Sequence, residues 1–164
     1  MPGAVDRADD GVDEGHVDAV MDAARLLVAV VAASVLEVEE RASLPQLRVL
    51  TLMATHGSLT LGGVAAALGV HPSNATRMCD RLVAAGLVDR QDDPGDRRQL
   101  QLTLTASGSE LVESVMAHRR AAVRRALAQM AESDRAKLAN SLGAFTEAAF
   151  GLIDEDAAAA LSWL

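Results

Sequence analysis

Residues 59–105, LTLGGVAAALGVHPSNATRMCDRLVAAGLVDRQDDPGDRRQLQLTLT, decide how the chain is read. Thr60 is placed to cap a helix that ends at Gly69. Pro72 falls in the first turn of a second helix, where its missing N–H is tolerated, and Gly86 stops that helix. Leu87 to Gln91 and Leu100 to Leu104 each alternate apolar and polar side chains, as half-buried strands do. Between them Asp92-Asp93-Pro94-Gly95-Asp96 is a strong turn signal. The order is helix, helix, hairpin.

The spacing about Gly69 suits two helices that cross steeply, which requires small and apolar residues at fixed offsets from the turn. Val64, Ala65 and Leu68 precede it, and Val70, Ala75, Met78 and Leu82 follow. The two alanines permit close approach while the larger side chains fill a shared core. In the hairpin, Arg97 and Arg98 fall at the tip beside Asp96, with Leu100, Leu102 and Leu104 expected to anchor the returning strand. Such a tip suits delivery of a cation into a narrow minor groove, where negative potential is enhanced. An ordinary solvated hairpin is the plainer alternative.

Outward from this stretch the pattern is helical. Dense apolar residues from about His16 to Arg41 predict a helix buried on several sides, for which a partner subunit is a plausible cover. A second helix is expected from Ser43 or Leu44 to about His56, closed by Gly57. Thr105 is placed to cap a long helix to about Met130, and Ser133 another to about Ile153. Residues 1–13 read as a loose acidic tail, and Asp154 to Leu164 as Ala-rich and partly helical.

A chain of 164 residues supports one globular unit with extensions. Its apolar residues are mostly Ala, Leu and Val, which points to a mainly helical protein. The single cysteine, Cys79, excludes an intramolecular disulfide and fits a reducing cytosol. The acidic start is no signal peptide, and the longest uncharged apolar run, Leu26 to Leu36, is about half of a membrane span. A cytoplasmic protein without membrane contact is expected. The net charge of −8 looks wrong for a nucleic-acid partner, but residues 1–22 carry seven acids against Arg7 alone. The remainder is close to neutral, which leaves room for a focused basic site.

Taken together, residues 59–105 resemble the MarR family of regulators. The motifs that carry the resemblance are Thr76-Arg77, Arg81-Leu82, Gly86-Leu87-Val88, Asp96-Arg97-Arg98 and Leu104-Thr105, in the family's order. The resemblance implies a mainly α fold with a small β-hairpin wing, a winged helix-turn-helix plus a helical dimerisation region. Residues 44–105 would form the DNA-binding domain, and residues 14–43 and 106–164 the dimerisation region. It implies a repressor that binds an inverted repeat in double-stranded DNA as a homodimer and is released by a small aromatic or phenolic effector, with no cofactor. Ser73, Asn74, Thr76 and Arg77 would reach base edges and nearby phosphates from the recognition helix. Arg98 matches the wing arginine and Asp96 the acid that positions it, with Arg97 beside them. Arg81 and Arg90 are candidates for phosphate contact or for pairing with acids, Asp80 or Asp89 in the case of Arg81.

Three features depart from the family's pattern: His71 at a cap position that favours Ser, Thr, Asp or Asn, the pair Gly62-Gly63 at a helix start, and the overall acidity. The cluster His118, Arg119, Arg120, Arg124 and Arg125 invites a second DNA-binding reading, yet lies more than about 20 Å along its helix from the wing. A solvated face pairing with the acidic N-terminal segment is the favoured alternative. Cys79 raises the possibility of a redox sensor, against which stands its place in mid-helix. His16, His56, His71 and His118 have no ligand-like spacing for a metal. A protein-interaction module is the main competing function. No motif of an enzyme is present.

Overall fold

The computed structural model describes residues 11–92 and 100–150, apart from the Phe150 side chain. Along the chain run α1 (Glu14–Leu36), α2 (Leu44–His56), β1 (Ser58–Thr60), α3 (Leu61–Leu68), α4 (Pro72–Ala84), β2 (Val88–Asp92), β3 (Leu100–Leu104), α5 (Ala106–Ala128) and α6 (Glu132–Phe150). The chain is thus mainly helical, with a small antiparallel sheet.

Local chemistry accounts for most boundaries. The Thr60 hydroxyl accepts from the Gly63 N–H, and Gly69 closes α3 in the left-handed conformation at φ 63°. His71 caps α4 through its ring, with Pro72 in the first turn, and Thr105 caps α5 through the Gly108 N–H. Two starts differ from expectation. Asp13 caps α1 by accepting from Gly15 N–H at 2.7 Å, so the helix begins before His16 and Asp13 is no part of a tail. Helix α6 begins at Glu132, with Ser133 inside it, because Ala131 O already receives the N–H groups of Asp134 and Arg135. Residues 1–10 of the expected tail and the segment from 151 onward lie outside the described residues.

The sheet has the order β1-β3-β2. Strand β1 was not expected: Ser58, Leu59 and Thr60 pair with Thr103, Leu102 and Gln101. It is three residues long, and only its distant partner β3 makes it a strand. Of the three leucines expected to anchor β3, Leu102 is fully buried and Leu104 packs at the core's margin. Leu100 is exposed, because the hairpin has by then left the helices behind.

One core joins α2, α3, α4, the sheet and the first half of α5. Val49, Leu50, Met53, Val64, Ala75, Cys79, Leu82, Val88, Leu102 and Leu111 are its most deeply buried members. The small residues Ala65 and Ala75 are buried in this core, while Leu68, Val70 and Met78 are only partly buried. Helix α1 docks on α5, where buried Ser34 accepts from Arg119 Nε at 2.9 Å and Glu37 meets His118 at 2.9 Å. Most of its other side chains face outward, including Leu26, Leu27, Val28 and Leu36. By length and composition α1 is apolar enough to cross a membrane, although charged residues interrupt its uncharged run. Its docking on α5 gives one face a protein neighbour instead.

The junction between the two halves is tight. Thr105 N–H donates to Leu87 O at 3.2 Å, and the Thr105 hydroxyl donates to Gly86 O at 2.7 Å. Gly108 is buried against Leu87, and a Cβ there would run into the Leu87 carbonyl oxygen, well inside van der Waals contact. Gly108→Ala should therefore destabilise the protein even though alanine's helix propensity favours the change by about 1 kcal/mol. Overpacking against rigid backbone ordinarily costs ~1–3 kcal/mol. The expected outcome is a lower urea midpoint than wild type, whereas Gly143→Ala, with open space around its Cβ, should raise it.

Candidate functional site

Helix α4 presents one face to the core and another to the outside. Ala75, Cys79 and Leu82, spaced four and three apart, are buried and fasten it to the core. Ser73, Asn74 and Arg77 are exposed and Thr76 is half-buried on the free side. Local bonds order this surface. His71 Nδ1 accepts from the Ser73 N–H at 3.3 Å and lies 2.9 Å from its hydroxyl, so the ring serves as an acceptor cap in place of the preferred short side chains. The Thr76 hydroxyl donates to Pro72 O at 2.9 Å. Arg77 folds along the helix, with Nε donating to Ser73 O at 3.3 Å and Nη2 to Asn74 Oδ1 at 2.8 Å.

The structure divides the two arginines whose roles were open. Arg90 on β2 reaches across to α4 and pairs with Asp80. The Arg81 side chain makes no hydrogen bond or ion pair among the described residues. Neither Asp80 nor Asp89 holds it, because successive helical side chains diverge by about 100° and Asp80 faces the strand instead. Asp96, Arg97 and Arg98 lie outside the described residues. Their flanks are held together by the pairing of Asp92 with Leu100.

A cleft of about 330 Å³ opens where α4 passes the start of α2, lined by Ser43, Pro45, Gln46, Asn74, Arg77, Met78 and Arg81. Ser43 and Gln46 were not singled out in the sequence as site residues. Their spacing, Ser-x-x-Gln before an apolar run, marks a capping box, but not its nearness to α4.

The basic cluster of α5 resolves into two groups. His118 and Arg119 tie α5 to α1 through Glu37 and Ser34. Arg120, Arg124 and Arg125 line the clefts beside that contact. The acid that answers His118 is thus Glu37, at the end of α1, rather than the N-terminal segment. Among the described residues no three His, Cys, Asp or Glu side chains form a cluster able to hold a metal ion.

Comparison with known proteins is consistent along the chain. The MarR family model matches residues 42–100. The HTH-type transcriptional repressor MdtR of Bacillus subtilis is 36% identical over 104 residues, 63% of this chain and 67% of that protein. Among solved structures, RV1404 of Mycobacterium tuberculosis aligns with a TM-score of 0.73 and 41% identity, over 90% of this chain and 98% of that one. The YusO protein of Bacillus subtilis aligns at 0.68 and 29%, over 84% and 98%.

Cys79 has none of the features of a sensor thiol. It is fully buried, and burial pushes its pKa up, with Arg90 opposing and Asp80 adding to the shift. A buried protonated thiol is a poor nucleophile. Native protein at neutral pH should therefore react with a disulfide reagent at least about a hundredfold more slowly than protein in denaturant, followed by thiolate absorbance. Comparable rates would return Cys79 to consideration as a sensor.

Proposed function

Because the chain belongs to the MarR family of transcriptional regulators, which are not enzymes, we propose that it is a cytoplasmic repressor that binds an inverted repeat as a homodimer. The observation that carries this is α4 itself. Its inner face is locked into the core, and its outer face offers Ser73, Asn74, Thr76 and Arg77 in the first two turns. That is where side chains of a recognition helix meet base edges and phosphates in the major groove. Residues 44–105 form the DNA-binding unit in this reading, with Arg98 delivered to the minor groove, Asp96 positioning it and Arg97 adding charge. Arg81 contacts phosphate.

Residues 14–43 and 106–164 supply the dimer contacts. Supporting this, every residue from 131 to 148 is exposed, including Leu138, Leu142 and Phe145 of α6. Val17, Val20, Met21 and Leu27 are equally bare on α1. An apolar stripe of that length needs a cover, and a second copy provides one with twofold symmetry that matches the inverted repeat. A small aromatic or phenolic effector fits the apolar cleft of about 310 Å³ that Leu27, Val31, Val123 and Arg119 line between α1 and α5.

Selection of bound duplexes from a random library, followed by anisotropy at two salt concentrations, tests the reading. An inverted repeat should be enriched, and Arg98→Ala should weaken its binding by about tenfold or more. No enriched site would favour a protein-interaction module.

The Asp80–Arg90 pair makes a second prediction. Being partly exposed, it contributes no more than about 1 kcal/mol to stability, so Arg90→Ala should fold normally. It bares a carboxylate on the recognition helix and should weaken operator binding several-fold. Asp80→Asn in the same chain should restore most of the loss. If it does not, Arg90 contacts phosphate directly.

A further inference from the structure

Gln46 stands at the third position of α2, and its Oε1 accepts from both the Ser43 N–H and the Ser43 hydroxyl, each at 2.9 Å. A backbone N–H can only donate, so the accepting atom is the amide oxygen. The NH₂ group of Gln46 is therefore its other end, and it has no partner among the described residues. Across the cleft stands Arg81, whose guanidinium is likewise without a partner there. Beside it Arg77 has committed one N–H to Ser73 O and one to Asn74 Oδ1, which also occupies the amide oxygen of Asn74. The start of α2 adds the positive end of its helix, although Pro45 has no N–H and the Gln46 N–H is taken by the Ser43 side chain. Among the described residues no carboxylate lines the cleft, and the acid on α4, Asp80, is turned away into its pair with Arg90.

The cleft thus offers donors from two helices with almost nothing to accept them. Its volume of about 330 Å³ equals roughly ten waters at ~30 Å³ each, enough for a compact anion and part of its hydration shell. Two guanidiniums and an amide NH₂ match the oxygens of a phosphate group. We propose that this cleft is a phosphodiester clamp, in which Arg81, Arg77 and Gln46 grip one backbone phosphate beside the groove that α4 enters. This rests on the DNA-binding reading above. Asn74 and Arg77 belong both to the cleft and to the outer face of α4, so a strand engaged by that face runs past the clamp. Its contribution is to fix register without regard to base sequence, as phosphate contacts do. It also makes the start of α2 a second arm of the DNA-binding surface.

The test pairs protein variants with altered DNA. Arg81→Ala removes the free guanidinium from an exposed position. Gln46→Glu keeps an acceptor for the capping box, so α2 should be as stable as before or more so, while a negative charge replaces the donor. Each should weaken operator binding by about tenfold and lower the slope of log affinity against log salt by about two for a dimer. The preferred operator should not change. A scan of neutral methylphosphonate linkages along the operator should find one position per half-site where the modification costs the wild type affinity and costs Arg81→Ala nothing further. Three outcomes overturn the clamp: an unchanged salt slope in both variants, equal losses for both proteins at every linkage, or binding of inorganic phosphate without coupling to any backbone position. In all three the DNA-binding reading stands if wild type still selects an operator. A wild type that selects none removes both.

Discussion

The carbonyl groups of Gly86 and Leu87 hold the two halves of the molecule together. They are the last acceptors on the way out of α4, and they are claimed at once by Thr105, whose N–H and hydroxyl both donate to them. The same hydroxyl accepts from Gly108, so one side chain ends the wing and caps α5. Gly108 then brings the first turn of α5 onto the Leu87 carbonyl, a fit that leaves no room for a Cβ. The end of the recognition helix, the base of the hairpin and the start of the long helix are therefore one rigid knot. A displacement of α5 would reach α4 through backbone contacts that have little slack.

The second constraint is electrostatic. An acidic chain must keep its carboxylates away from the surface that meets DNA, and the structure does so by placement and by pairing. Of the seven acids in residues 1–22, the described ones, Asp13, Glu14, Asp18 and Asp22, stand at the start of α1. Asp80, the one acid on the recognition helix, is engaged by Arg90 from the adjacent strand. What remains around α4 is a surface of donors, of which the Arg81 guanidinium has no partner among the described residues. Low background charge and a few well-placed cations suit a protein that must leave non-specific DNA easily, because non-specific affinity is almost wholly a matter of phosphate neutralisation.

Much of this was legible in the sequence because its causes are local. Helix ends are written by caps and glycines a few residues apart, and Thr60, Gly69, Pro72, Gly86 and Thr105 each stand where the corresponding boundary falls. The alternating residues of the hairpin were equally plain. What stayed hidden depends on distant partners. Three residues, Ser58 to Thr60, become a strand only because β3 passes beside them. Arg81 and Arg90 are alike as sequence, and only the packing of β2 on α4 decides which of them meets Asp80. Ser43 and Gln46 announced a helix start but not a cleft, since the arginines opposite them lie more than thirty positions away. Leu100 has the pattern of a core residue and the surroundings of a surface one.

The outer helices complete the logic from the opposite direction. Leu26, Leu27 and Val28 on α1 and Leu142 and Phe145 on α6 are too many and too exposed for a lone subunit to carry without loss of solubility. The core itself needs none of them, for it closes around α2, α3, α4, the sheet and the first half of α5. The side chains that close the core are thus distinct from the bare apolar ones on α1 and α6. That separation has a functional consequence. In the proposed homodimer, joined through α1 and α6, the geometry between the recognition helices would be set by the outer helices of each chain. It is transmitted by the stiffest part, the knot at Leu87 and Gly108. A ligand that alters the fit of α1 on α5 would then change the spacing of two rigid readers rather than the shape of either.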